Sequence, residues 1–125
     1  MTLHNARMGD IRLAEVSDRP LDLIALQQLV ADDRAGAVVS FSGNVRNHDH
    51  DRLVTSLTYE GHPSAAAVLE EVAREIAAQF DVISLGVAHR VGALQIGDAA
   101  LIAVVATVHR GEAFRVCSAL VDLTK

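Results

Sequence analysis

"ALIAVVATVHR", residues 100–110, is an almost unbroken run of alanine and β-branched or branched apolar residues that ends on a histidine and an arginine. An apolar run without polar alternation reads as a strand buried on both faces, and so as the middle of a sheet. Its flanks decide what kind of sheet. On the N-terminal side, "LQIGDAA" (94–100) carries the turn signal Gly97-Asp98 and follows "VISLGVAHRVG" (82–92), a second apolar strand. On the C-terminal side, "GEAFRVCSALVDLTK" (111–125) has helical spacing, with Phe114, Cys117 and Val121 on one side. Strands separated by a turn alone are hairpin-like neighbours, which favours an α+β domain over a doubly wound parallel sheet.

Working outward, "IRLAEV" (11–16) alternates as a strand, and "SDRPLDLIALQQLV" (17–30) reads as a helix. Asp18 is its expected N-cap, Pro20 fits its first turn, and Leu21, Leu23, Ile24, Leu26 and Val30 form its apolar face. Gly36 opens the strand "AVVSFSG" (37–43), residues 45–52 form a polar loop, and "LVTSLTYE" (53–60) returns as a strand with Leu53, Thr55, Leu57 and Tyr59 on one face. A helix is expected from Pro63 to about Phe80, with Val68, Leu69, Val72, Ile76 and Phe80 facing the core. The order is β-α-β-β-α-β-β-α, with no linker or repeat, and the 125 residues read as a single domain.

Composition narrows the function. Half of the residues are hydrophobic, yet there are only three Phe, one Tyr and no Trp, so alanine and valine must fill the core and the elements must approach closely. A net charge of −5 argues against a nucleic-acid or membrane-surface binder, and any anion site must be a local cationic pocket. The single cysteine, Cys117, excludes an intrachain disulfide and reads as a buried, inert thiol. With no signal-peptide core and no membrane-length apolar run, a cytoplasmic location is expected.

Two strands end in cationic groups: Arg46 follows "SFSGNV", and His109-Arg110 follow "AVVATV". Arginine at the end of a rigid strand suits phosphate, because its planar fork donates two parallel bonds. His48, Asp49, His50 and Asp51 invite a metal-dependent hydrolase reading, but ligands crowded into one loop are unlike most metal sites, and no metal is expected. His4 and His62 read as surface residues, and His89-Arg90 as structural. Neither a P-loop nor a dinucleotide fingerprint is present, and no cofactor is expected.

Taken together, "GAVVSFSGNVRNH" (36–48), "LTYEGHP" (57–63), "HRVGALQIGD" (89–98) and "VHRGEAF" (108–114) resemble, in order and spacing, the large, catalytic subunit of molybdopterin synthase, over about residues 10–125. The resemblance implies an α/β-hammerhead-like fold with a mostly antiparallel sheet and flanking helices. It also implies a sulfurtransferase of molybdenum cofactor biosynthesis that converts cyclic pyranopterin monophosphate to molybdopterin. The sulfur would come from the C-terminal glycyl thiocarboxylate of a small ubiquitin-like subunit. Two large subunits would form the central homodimer of a heterotetramer. Residue by residue, Phe41, Arg46, His109, Arg110 and Lys125 fall on active-site positions, with Lys125 at the chemical step. Asn44 and Val45 align with backbone that lines the substrate. A non-catalytic anion-binding or regulatory domain of the same fold is the alternative.

Two departures stand out. Many members have lysine where this chain has Asn44, and the family pattern continues past Lys125 with a "PxWK"-like segment, so the C-terminal end of the domain reads as incomplete. A helix from Gly111 to Lys125 would be about 21 Å long. Lys125 could then share no small pocket with His109-Arg110 of its own chain: either the helix breaks or the pocket is built between two chains, and the dimer that the resemblance implies favours the second.

Overall fold

The computed structural model describes residues 9–49, 52–53, 56–59 and 62–124. Its main sheet has 4 strands in the order β1-β6-β8-β2. These are β1 (Asp10–Ser17), β2 (Ala37–Asn44), β6 (Ser84–Arg90) and β8 (Ala99–Thr107). β1 pairs with β6 in parallel, and β6–β8 and β8–β2 are antiparallel, so the expected mostly antiparallel α+β architecture is borne out. Strand β8 is an inner strand, and every residue from Leu101 to Thr107 is buried. Its side chains alternate between two layers. Leu101, Ala103 and Val105 face one core, and Ile102, Val104 and Ala106 face the other.

The first core is covered by α2 (Ala65–Gln79) and α3 (Arg110–Thr124), the second by α1 (Leu23–Val30). Small residues permit the close approach that the scarcity of aromatics demands. A Cβ on Gly86 would lie 2.5 Å from Leu26 Cδ1, so α1 rests directly on the backbone of β6. The C-terminal carbonyls of α1 are satisfied from outside the helix. Arg12 donates to Leu29, Val30 and Ala31 oxygens at 3.2, 3.3 and 2.9 Å, and the buried Ser84 hydroxyl donates to Val30 O at 2.6 Å. Asp32 accepts from Arg34 and Arg12, which hold its carboxyl well below the usual carboxylate range.

Several local expectations shift. Helix α1 is capped by Asp22, whose carboxylate accepts the Ala25 N–H at 3.0 Å, so Asp18 and Pro20 precede the helix. Helix α2 starts after Ser64 rather than at Pro63, and it buries Leu69, Ala73, Ile76 and Ala77. Val68 is 57% exposed, because alanines let the helix pack on a narrower face than the large residues mark. On α3 the stripe is Ala113, Val116, Cys117, Leu120 and Val121. Phe114 flanks it at 62% exposure, beside Val39 and Phe41 of edge strand β2. The loop at 45–52 and the strand at 53–60 contain β3 (His48–Asp49) paired with β4 (Arg52–Leu53), and β5 (Ser56–Tyr59) paired with β7 (Gly92–Gln95). The turn at Gly97-Asp98 therefore joins strands of different sheets and closes no hairpin. Among the described residues no helix is long and apolar enough to cross a membrane.

Candidate functional site

The antiparallel register of β2 and β8 separates the cationic groups. Asn44 pairs with Ala99 and Ala37 with Thr107. Arg46, just beyond Asn44, therefore sits at the N-terminal end of β8, while His109 and Arg110 follow its C-terminal end. The eight residue-to-residue steps from Ala99 to Thr107 span about 27 Å. Within one chain the two ends cannot meet on one small anion.

The Arg46 end is closely specified. The β2–β8 register shifts between Gly43 and Asn44, a bulge of the kind that re-aims a strand end. The Val45 side chain is buried, its N–H donates to Asp98 O at 2.9 Å, and its carbonyl accepts the Gly97 N–H at 2.7 Å. Gly97 has φ of +91°, a left-handed value that glycine adopts without steric cost. Arg46 then projects into solvent. Asn44 is also exposed, and its side-chain oxygen accepts from the Ser42 hydroxyl at 2.6 Å. Phe41 is half-buried against the α2–α3 core, and its ring would lie 3.0 Å from a Cβ on Gly43.

The other end is a strand-to-helix turn. The buried Thr107 hydroxyl donates to His109 O at 2.6 Å, and the same carbonyl accepts the Ala113 N–H at 3.4 Å. This fixes the main chain as α3 begins and leaves the His109 and Arg110 side chains exposed. Helix α3 then runs back along the sheet for about 21 Å. Its last turn, Leu123 and Thr124, lies in a cleft of about 450 Å³ with Val16, His62, His89 and Val91. That cleft is at the ends of β1 and β6, on the Arg46 side of the sheet, as the pairing of His89 with Leu101 shows. Burial lowers the pKa of His89, partly opposed by a backbone hydrogen bond at Arg90.

The structure thus brings Phe41, Asn44, Val45 and Arg46 together and places His109 with Arg110 elsewhere. Lys125 lies outside the described residues, as do His50 and Asp51 of the metal reading. Among the described residues no group of three or more His, Cys, Asp or Glu is placed to hold a metal ion. Cys117 is buried, and burial pushes its thiol up to about 11, so it is protonated near neutrality and a poor nucleophile. Sequence reasoning missed the ion pair between Arg90 Nη1 and Asp98 Oδ2 at 3.0 Å; its signal was the arginine and aspartate bracketing "VGALQIG".

Among the described residues the class is an α+β domain of one four-stranded sheet and three helices, with exposed cationic side chains after two of its strands and its one cysteine buried. Residues 16–125 match the MoaE protein family, and the chain belongs to that family. It is 34% identical over 118 residues to "Molybdopterin synthase catalytic subunit 1" of Mycobacterium tuberculosis, covering 94% of this chain and 80% of that protein. It is 33% identical over 120 residues to the molybdopterin synthase catalytic subunit of Haemophilus influenzae, covering 94% and 79%. The crystal structure of molybdopterin synthase from Staphylococcus aureus superposes with a TM-score of 0.81 at 28% identity, covering 88% of this chain and 81% of that one.

Proposed function

We propose that this chain is a molybdopterin synthase catalytic subunit. It transfers sulfur from the thiocarboxylated C-terminus of a small ubiquitin-like subunit to cyclic pyranopterin monophosphate, giving molybdopterin, in the cytoplasm. The observation that carries the reading is the MoaE family match over residues 16–125, with relatives that bear this enzyme's name. Residues 1–125 act as one domain, which forms a homodimer within a heterotetramer.

The separation of Arg46 from His109 and Arg110 determines how such a site is assembled. One protomer supplies Arg46, the Asn44-Val45 backbone, Phe41 as a wall and Lys125. The partner supplies its own His109-Arg110 end. Together they hold the substrate's phosphate by charge-assisted bonds, each worth about 1.5–3 kcal/mol. The protonated Cys117 fits a reaction in which sulfur arrives already activated. In each of two rounds the thiocarboxylate sulfur bonds to a side-chain carbon of the substrate as a carbon–oxygen bond there breaks, the oxygen staying on the phosphate in one round and leaving as water in the other; water then cleaves the acyl C–S bond, and a spent small subunit leaves as a carboxylate. Lys125 supports the negative charge that develops on the acyl oxygen.

The test mixes the purified chain with thiocarboxylated small subunit and cyclic pyranopterin monophosphate, with molybdopterin measured by mass spectrometry. Formation of the dithiolene product with loss of thiocarboxylate is the expected outcome. A folded chain that binds the small subunit but forms no product overturns the reading.

A further inference from the structure

We propose that Arg90 and Asp98 are a positioning pair, which fixes the direction in which Arg46 leaves β2 and acts on substrate through it. The inference rests on the reading of Arg46 as a substrate-binding residue. The linkage is continuous. Arg90 Nη1 donates to Asp98 Oδ2 at 3.0 Å, and the same oxygen accepts the Gln95 N–H at 2.9 Å. The Asp98 N–H in turn donates to Gln95 O at 3.0 Å, closing the turn 95–98 around Gly97. One carboxylate thus ties the turn to the end of β6. The turn ties Val45, because Asp98 O and Gly97 N take the carbonyl and amide partners that a neighbouring strand would otherwise supply. Arg46 is the next residue, exposed, with the buried Val45 side chain as its anchor.

Arg90 also reaches β7, its Nη2 donating to Ala93 O at 3.5 Å. The Arg90 side chain is only 13% exposed, and its Nε is a buried nitrogen without a hydrogen-bond partner. A guanidinium drawn this far from water for one ion pair and one long hydrogen bond to a backbone carbonyl is an unfavourable choice for stability alone. It is intelligible if the turn must be held in one register. A surface loop could carry Arg46 to the same place, but it would sample many directions, and a binding group loses effectiveness when its supporting groups are loose.

The experiment is a double-substitution cycle with an independent structural readout. Asp98→Asn keeps size and one acceptor but removes the charge. It is expected to raise the KM for cyclic pyranopterin monophosphate about tenfold, equivalent to ~1.4 kcal/mol. In the Arg46→Ala background the same change is expected to raise KM no more than about twofold, since the pair acts through the missing side chain. An equal rise in both backgrounds overturns the inference, because a merely structural role would be additive. If Asp98→Asn fails to fold, Arg90→Lys, which keeps the charge and shortens the reach, carries the same cycle. Amide hydrogen exchange is followed in the same variants. Val45 and Gly97 are expected to exchange faster while Val104 and Val105 in β8 do not change. Unchanged exchange at Val45 and Gly97 overturns the pinning even in an active enzyme. If the unsubstituted chain makes no molybdopterin, the functional reading fails, and the exchange result still decides whether the pair holds the turn.

Discussion

If Arg46 and Arg110 serve one site across two chains, defects in them must complement. Arg46→Ala and Arg110→Ala each remove a charge-assisted bond to phosphate, a loss of about 1.5–3 kcal/mol, or roughly 10- to 150-fold in kcat/KM. In a mixed dimer of one Arg46→Ala chain and one Arg110→Ala chain, the two sites differ. One combines the altered residue of each protomer. The other combines the intact Arg46 of the second chain with the intact Arg110 of the first, and is wild type. The separation of about 27 Å along β8 is too long for one small pocket within a chain. Mixed dimers isolated by tandem affinity tags should therefore show about half the wild-type activity per dimer, and an unfractionated equimolar mixture at exchange equilibrium about one quarter, by counting sites. The assay is molybdopterin formation with saturating small subunit, and subunit exchange is verified by native mass spectrometry. Mixed dimers no more active than the mean of the two single variants would refute the reasoning, since that is the result for sites contained within one chain.

Gly86→Ala should destabilise the protein by about 1–3 kcal/mol, because the added Cβ meets Leu26 Cδ1 at 2.5 Å and α1 must move off the sheet; urea denaturation measures it. Cys117→Ser should leave sulfur transfer intact in a protein that is modestly less stable, because a thiol held protonated at about 11 carries no sulfur at neutral pH; abolished transfer in a folded variant would count against a partner-borne sulfur. The depressed pKa of Asp32 stabilises the fold fully above its ordinary value of 3.8, and that stability is lost as pH falls below it. Thermal melts of Asp32→Asn against the unsubstituted chain should therefore converge toward low pH. Burial lowers the pKa of His89, so protonation favours the unfolded chain and stability falls as pH drops below its ordinary value of 6.5; His89→Gln should flatten that slope in melts between pH 5 and about 8.

The inner strand was legible because its apolar run admits one environment, and β8 is buried from Leu101 to Thr107. The helices were legible by period and largely by phase: Leu26, Val30, Leu69, Ile76, Cys117 and Val121 are buried as expected, while Ile24, Val68 and Phe114 are exposed. Alanine scores weakly as apolar yet packs closely, so Ala73 and Ala77 took the core positions on α2 and left Val68 in solvent. The cap of α1 was misplaced because Asp18 and Asp22 offer the same chemistry, and only backbone geometry chooses between them. Strand partners were the least legible feature. "LQIGDAA" looks like a hairpin turn from either side, and nothing local says that β7 pairs with β5. The candidate site inherited that limit. Residue types at the ends of two strands were evident, but whether those ends are neighbours depends on the register, which is a long-range property.

That register also accounts for the chemistry the chain offers. An acidic protein of net charge −5 that must hold a phosphate needs its cations gathered in one place. Placing Arg46, His109 and Arg110 together on one protomer would crowd like charges at a single surface throughout folding. They are held about 27 Å apart on one strand pair, and under the proposed assembly they would meet only when two protomers associate, where the anion would neutralise the charge that association brings together. A pocket of that kind would supply binding and electrostatics but no thiolate. Cys117 lies on the core-facing side of α3 as a protonated thiol, and apart from the aliphatic Val45 the candidate side chains are cationic, imidazole, amide or aromatic. The reacting sulfur then has to be delivered by a second macromolecule whose tail is narrow enough to enter between the protomers, which is the property of a C-terminal glycyl thiocarboxylate.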